Sequence, residues 1–314
     1  MSTPTVAPPR QRAFRHEALL YEGEPEFLDV ATAFIRDALA ADEPTLVVVS
    51  ADKIAKLQSS VGDNDLVCFA DMSVVGSNPA RIIPAWRQFA AEHSGRRLRG
   101  IGEPIWAGRS DAELVECQRH ESLLNVAFAE AAEFWLLCPY DTTALHPEVI
   151  DEALRSHPFV LAASTSVDSR DYRGLDAAAA PFEDPLPEPP GRPAEFAFGP
   201  GMLTDLRAFV AHHAAGAGLD AERISDLVFA TNELATNSLL YGGGHGSVRI
   251  WHQDGVICEI GDAGNISDPL IGRHSPGSDD DGGRGVWIAN QLCDLLQLRS
   301  SPAGSIARLH VRAS

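Results

Sequence analysis

Seven prolines crowd into a short stretch of this chain, at positions 181, 185, 187, 189, 190, 193 and 200. Each fixes φ and withholds an amide donor, so the stretch can be neither a helix nor a central strand and favours an extended, semi-rigid form. A chain of 314 residues is long for one domain and sufficient for two, each able to bury its own core. The sequence therefore reads as two folded units, residues 14–167 and 201–314, joined by a linker over residues 168–200.

Hydrophobic residues make up 45% of the chain and charged residues 22%, as in folded globular proteins, so most of it is expected to fold. No run approaches the ~18 apolar residues of a membrane helix, and the N-terminal MSTPTVAPPRQRAFRHE lacks the apolar segment of a signal peptide. A cytoplasmic protein without a membrane contact is expected. The cysteines Cys68, Cys117, Cys138, Cys258 and Cys293 show no CxxC spacing and read as reduced, mostly buried thiols. A net charge of -19 argues against direct nucleic-acid binding, which demands clustered Lys and Arg. A nucleotide with its magnesium can still bind where a local pocket opposes the global charge. The expected macromolecular partners are proteins.

In the first unit, apolar strand-like runs (TLVVVS, DLVCFAD, FWLLCPYD, FVLAAS) alternate with amphipathic helical ones (EFLDVATAFIRDALA, RIIPAWRQFAAEH, DAELVECQRHESLLNVAFAEA, VIDEALRSHP). RRLRGIGEPIW adds a further strand ending in a loop. This order implies a layered α/β sheet. Such sheets bind ligands at the carboxyl ends of their strands, which makes Asp71, Glu103 and Asp141 candidate pocket residues, each equally readable as a solvated loop acid. A phosphate-binding P-loop needs a lysine after a glycine-rich turn. The only lysines, Lys53 and Lys56, do not follow glycine, so this half is not a Walker-type NTPase.

His16-Glu-Ala-Leu-Leu-Tyr21, Gly102-Glu103-Pro-Ile-Trp106 and Glu121-Ser-Leu-Leu-Asn125 together resemble the MEDS sensory domain over about Phe14 to Ser166. The resemblance implies a RecA-like α/β sheet lacking a P-loop and a regulatory role with a small-molecule effector. For His16, Glu103 and Glu121 a structural role and a functional one stand equally open.

In the second unit, LRAFVAHHAAGAGL reads as an amphipathic helix, with His212 and His213 on different faces and so no metal pair. AERISDLVFATNELATNSLLYGGG reads as a second helix, in which Glu233 and Asn237 lie four apart and share a face. A carboxylate there can accept a proton from an attacking hydroxyl while the carboxamide oxygen ligates magnesium. Exposed Glu and Asn at this spacing are common, so the pair gains meaning only beside the motifs downstream of it. SVRIWHQDGVICEIGDAGN reads as a hairpin turning at Asp254-Gly255 and ending at Asp262-Ala-Gly264. An Asp there can take a hydrogen bond from an adenine amino group, and Gly264 lets the backbone approach the base. After ISDPLIGRHSPGSDDD comes Gly282-Gly283-Arg284-Gly285, which opens the helix VWIANQLCDLL. Glycines opening a helix present free amides to phosphate, and Arg284 can add charge.

These motifs, in this order, resemble the Bergerat-fold, histidine kinase-like ATPases. ELATNSLLYG and GGRGVWIANQLCD look most like the anti-sigma-factor kinases. The resemblance implies an α/β sandwich that binds ATP and Mg2+, with Glu233 as catalytic base, Asn237 as magnesium ligand, Asp262 as adenine reader, and Gly264, Gly283 and Gly285 as nucleotide-loop glycines. It further implies a serine/threonine kinase acting on a STAS-type antagonist, control of a sigma factor, and homodimerisation. Asn265 and Ile266 depart from the pattern of some relatives, as does the acidic Asp279-Asp280-Asp281 run. A non-catalytic ATP-binding switch remains the alternative. A sensor histidine kinase is the lesser one, because the linker occupies the place of its phospho-accepting helical hairpin.

Overall fold

The computed structural model describes residues 14–130, 133–162, 165–175, 185–276 and 284–313. Its first unit is a seven-stranded sheet in the order β3-β2-β4-β5-β1-β6-β7. The strands are β1 (Phe14–Tyr21), β2 (Thr45–Val49), β3 (Val67–Asp71), β4 (Leu98–Gly102), β5 (Phe134–Asp141), β6 (Phe159–Ala162) and β7 (Thr165–Asp168). All neighbours pair in parallel except β7, which returns antiparallel on β6.

Helices α1 (Gly23–Ala40), α2 (Ala51–Val61), the short α3 (Met72–Val75), α4 (Ile82–Glu92), α5 (Asp111–Ala127) and α6 (Pro147–Ser156) complete the unit. Two apolar layers result. Leu19, Val47, Val49, Ile101 and Leu137 pack with Phe27 and Ile35 of α1 and Leu57 of α2. Their strand neighbours Ala18, Val48, Leu136 and Cys138 pack on the opposite side with Trp86, Leu124 and Val149. A period of two with both faces buried is what a parallel sheet requires of its sequence. The start of α5 is set by a capping box in which Ser110 and Glu113 exchange hydrogen bonds.

The second unit is an antiparallel sheet in the order β11-β12-β10-β9-β8. Its strands are β8 (Ala194–Phe198), β9 (Gly246–His252), β10 (Val256–Asp262), β11 (Leu295–Ser301) and β12 (Gly304–Val311). One face is covered by α7 (Leu203–Gly216), α8 (Ala221–Tyr241) and α9 (Arg284–Leu292). There Val248, Ile250, Cys258, Ile260 and Leu309 meet Leu206, Val210, Leu227, Leu234 and Val286. On the other face the buried Glu259 takes Arg249 at 2.5 Å and Arg308 at 2.6 Å.

The fold is α/β throughout, a parallel-rich sheet followed by an α/β sandwich. The proline-rich stretch is less of a spacer than its composition implies. Ala194–Phe198 within it forms β8 and pairs with β9 at the sheet edge, where proline is tolerated nearby. Just upstream, Pro187 offers its carbonyl to Arg308 Nη2 at 2.9 Å and Glu188 pairs with Arg249 at 3.2 Å. Cys117, Cys138, Cys258 and Cys293 are buried free thiols and Cys68 is exposed, as expected. No helix among the described residues is long and apolar enough to cross a membrane.

Candidate functional site

Helix α8 begins at an Asp220 cap, whose carboxylate accepts from Arg223 N at 2.9 Å, and runs 21 residues to Tyr241. Its inner face buries Leu227, Ala230, Leu234 and Ala235 against the sheet, which turns Glu233 and Asn237 toward the start of α9. A Cβ on Gly285, in the first turn of α9, would stand 3.2 Å from Asn237 Nδ2 and 3.3 Å from Glu233 Cβ. The two helices meet at these three residues.

At the far end of α8, Asp262 closes β10. Its Oδ1 accepts from Gly264 N at 2.8 Å and from the Ser305 hydroxyl at 2.6 Å, and its Oδ2 accepts from the Ser238 hydroxyl at 2.5 Å. A Cβ on Gly264 would reach 2.9 Å from Asp262 Oδ1 and 3.1 Å from Gly242 Cα, so only glycine fits. Ser238, Ser305 and Gly242 carry no distinctive spacing, so the sequence alone does not single them out. Glu233, Asn237, Gly285, Asp262 and Gly264 thus lie along one helix and its C-terminal turn. Arg284 is exposed at the start of α9. Gly283 lies outside the described residues, as do Gly282 and the acidic run at 279–281.

The segment after Gly264 does not lie free on the surface. Leu270 is buried in the apolar core of the first unit, and Arg273 is buried with Nη1 donating to Pro79 O at 3.3 Å. Asn290 of α9 reaches Gly272 O at 3.0 Å. Arg81 caps the C-terminal end of α9, donating to Asn290 O and Gln291 O at 2.7 Å and to Cys293 O at 3.1 Å, where a cation is favoured by the helix dipole. Asn78 adds a contact to Asn290 O at 3.2 Å. On α5, Glu116 pairs with Arg299 at 2.9 Å and Glu113 with Arg312 at 2.6 Å. The first unit therefore grips both the root of the loop after Gly264 and the tail of the helix after the glycine turn.

In that first unit, a cavity of about 390 Å³ opens at the carboxyl ends of the strands. Lys53 Nζ contacts Glu103 Oε1 at 2.6 Å and the Tyr21 hydroxyl at 2.9 Å, and Tyr21 donates to Glu103 at 2.7 Å. Burial pushes the Glu103 carboxyl up, against the pull of Lys53. Met72, Ile105, Trp106 and Leu145 supply apolar wall and Asp141 a second carboxylate. Of the three acids that the sequence nominates, Glu103 and Asp141 line the cavity. Asp71 caps α3 by accepting from Ser73 N. Lys53 enters the sequence reading only as a lysine that does not follow glycine, so it is not among the pocket candidates there.

Residues 15–158 match the family model of the methanogen/methylotroph DcmR sensory domain, MEDS, and residues 196–311 match that of the histidine kinase-like ATPase domain. No curated protein matches the chain. Among solved structures, the RsbU and RsbW domains of Rv1364c from Mycobacterium tuberculosis align at 19% identity with a TM-score of 0.29, over 38% of this chain and 32% of that one. This chain thus spans about a third of that protein's length.

Proposed function

For a chain that carries a MEDS domain ahead of a histidine kinase-like ATPase domain, we propose a regulator of the anti-sigma-factor type. It binds ATP with Mg2+, phosphorylates a Ser or Thr of a STAS-type antagonist, and controls a sigma factor according to a small effector read by the N-terminal domain. The observation that carries this reading is the placement of Glu233 and Asn237 against Gly285 at the start of α9, with Asp262 and Gly264 at the C-terminal turn of the same helix α8.

Glu233 takes the proton of the attacking hydroxyl, and the Asn237 carboxamide oxygen ligates Mg2+, which neutralises charge developing on the phosphates. Asp262 reads adenine. A carboxylate has about four lone-pair positions, and Ser238, Ser305 and Gly264 use three, which leaves one for an amino group. Gly283, Arg284 and Gly285 meet the phosphates at the start of α9. The sensory input reaches this site by direct contact as well as through the linker, because Arg81 and Arg273 join the first unit to both elements flanking the glycine turn. The cavity beside Lys53 and Glu103 suits a small molecule with one polar end and an apolar body.

Incubation with ATP and a STAS-domain antagonist should yield phosphoserine or phosphothreonine, and Glu233→Gln should abolish it while ATP affinity stays within about threefold, as expected for a group acting in the transition state. Absence of a phosphorylated antagonist with the wild-type chain would refute the kinase. A Glu233→Gln chain that still switches its partners would mean that ATP only shapes the binding surface.

A further inference from the structure

Beneath the sensory sheet, four side chains from four separate elements converge in the core: His16 on β1, Glu121 on α5, Cys138 on β5 and His157 just before β6. All four are buried, and one donor atom from each lies within 4.8 Å of the others. His16 Nε2 is 3.0 Å from Glu121 Oε2 and 3.3 Å from Cys138 Sγ, and His157 Nε2 is 3.2 Å from the same carboxylate oxygen. A tetrahedron with metal–ligand bonds of about 2.0–2.3 Å has edges of roughly 3.3–3.8 Å, so these separations need only a small expansion to hold an ion.

The surrounding hydrogen bonds fix which nitrogen of each ring faces inward. Asn125 donates its amide to Ser156 O at 2.7 Å, which turns its carbonyl oxygen toward His16 Nδ1 at 3.2 Å. That oxygen can only accept, so Nδ1 carries the proton and Nε2 of the neutral ring presents a lone pair. His157 Nδ1 sits 2.8 Å from Ala153 O, again an acceptor, and its Nε2 likewise points into the cluster. There it makes no hydrogen bond despite its proximity to Glu121, and Glu121 Oε1 is also buried without a partner. Two imidazole lone pairs, a carboxylate and a thiol aimed at a common point, with each ring's outer N–H held by a carbonyl, form the arrangement that orients histidines on a metal.

We propose that His16 Nε2, His157 Nε2, Glu121 Oε2 and Cys138 Sγ form a closed four-coordinate site for a late first-row divalent cation, zinc foremost. On binding, the Cys138 thiol gives up its proton to solvent and the thiolate bonds the cation. The carboxylate and thiolate together carry two negative charges, so a divalent ion leaves a neutral cluster in the apolar core. Without the cation, burial and the nearby carboxylate keep the Cys138 thiol protonated, far above its ordinary range. A small cavity of about 30 Å³ bounded by Ser122, Asn125, Ser156 and Arg155 lies beside the cluster, next to the Asn125 that holds His16. Glu121 shares α5 with Glu113 and Glu116, which pair with the ATPase unit, so the site is built on a helix that joins the two domains.

The test uses the full chain, reduced, stripped with a chelator and titrated with Co2+. One equivalent should bind with the intense visible bands of a four-coordinate ion and a thiolate-to-cobalt charge-transfer band, and Zn2+ should displace it. Cys138→Ser should remove that band and weaken Zn2+ binding at least tenfold, whereas Cys68→Ser should change neither. X-ray absorption of the zinc-loaded wild-type chain needs no variant. It should give one sulfur at about 2.3 Å and three nitrogen or oxygen donors at about 2.0–2.2 Å. No stoichiometric binding, a charge-transfer band that survives in Cys138→Ser, or a shell with no sulfur or several would overturn the site.

Discussion

Three hydrogen bonds already converge on Asp262, and Gly264 is one of the glycines packed closely against it. An alanine there places a methyl 2.9 Å from Asp262 Oδ1 and 3.2 Å from Tyr241 O, distances that backbone neighbours cannot relax cheaply. Gly264→Ala should therefore weaken ATP at least tenfold, about 1.4 kcal/mol, with little loss of helix signal. Calorimetry beside circular dichroism would separate the two. A second residue sets part of the acid response. Burial, with Arg308 and Arg312 nearby, pushes His310 down to about 4 from its ordinary 6.5, against the pull of Glu113 and Asp294. The unfolded chain then binds a proton that the folded chain refuses between those values, so stability from this residue is complete above about pH 6.5 and falls as pH drops toward 4. His310→Gln, which can keep a hydrogen bond to Gln297, should flatten the decline in Tm over that window. An unchanged pH slope would remove His310 as a cause.

Helix α9 exposes the reach and the limit of the sequence at the level of elements. Its glycine-rich start is legible, but the apolar run to Leu296 reads as one continuous helix. The structure ends the helix at Leu292 and begins β11 at Leu295, because the terminal carbonyls of the helix are taken by Arg81, a residue about two hundred positions earlier. Arg81→Ala removes three charge-assisted contacts and should cost about 2–3 kcal/mol of stability, with hydrogen exchange accelerated across 284–292 before the rest of the unit. Uniform acceleration would deny Arg81 a local role. Strands with a clean apolar run, such as β2 and β5, are legible in the sequence. β1 is not, because His16 and Glu17 interrupt its apolar pattern while both are buried. β8 is hidden by the prolines around it. Charged and polar residues satisfied by distant partners leave no local trace.

Across the whole molecule, the motifs of the proposed nucleotide site are visible because each is local, whereas the joint between the units is invisible. Glu116 and Arg299 are 183 positions apart, and His16 and Cys138 are 122 apart, so no spacing rule relates them. At the joint, Glu116→Ala removes the buried carboxylate that pairs with both Arg299 and Arg119. It should destabilise the chain by about 3–5 kcal/mol, the usual cost of breaking a buried ion pair by removing one partner, measured as a shift in the urea midpoint. A shift worth less than about 1 kcal/mol, the scale of an exposed pair, would mean that the two units are not held together there. The most direct measurement is calorimetric titration of the full chain with ATP, with and without Mg2+, for wild type, Asp262→Ala and Asn237→Ala. Binding should be lost in Asp262→Ala and should lose its magnesium dependence in Asn237→Ala. A wild-type chain that binds no ATP under either condition would contradict the nucleotide-driven switch at its root.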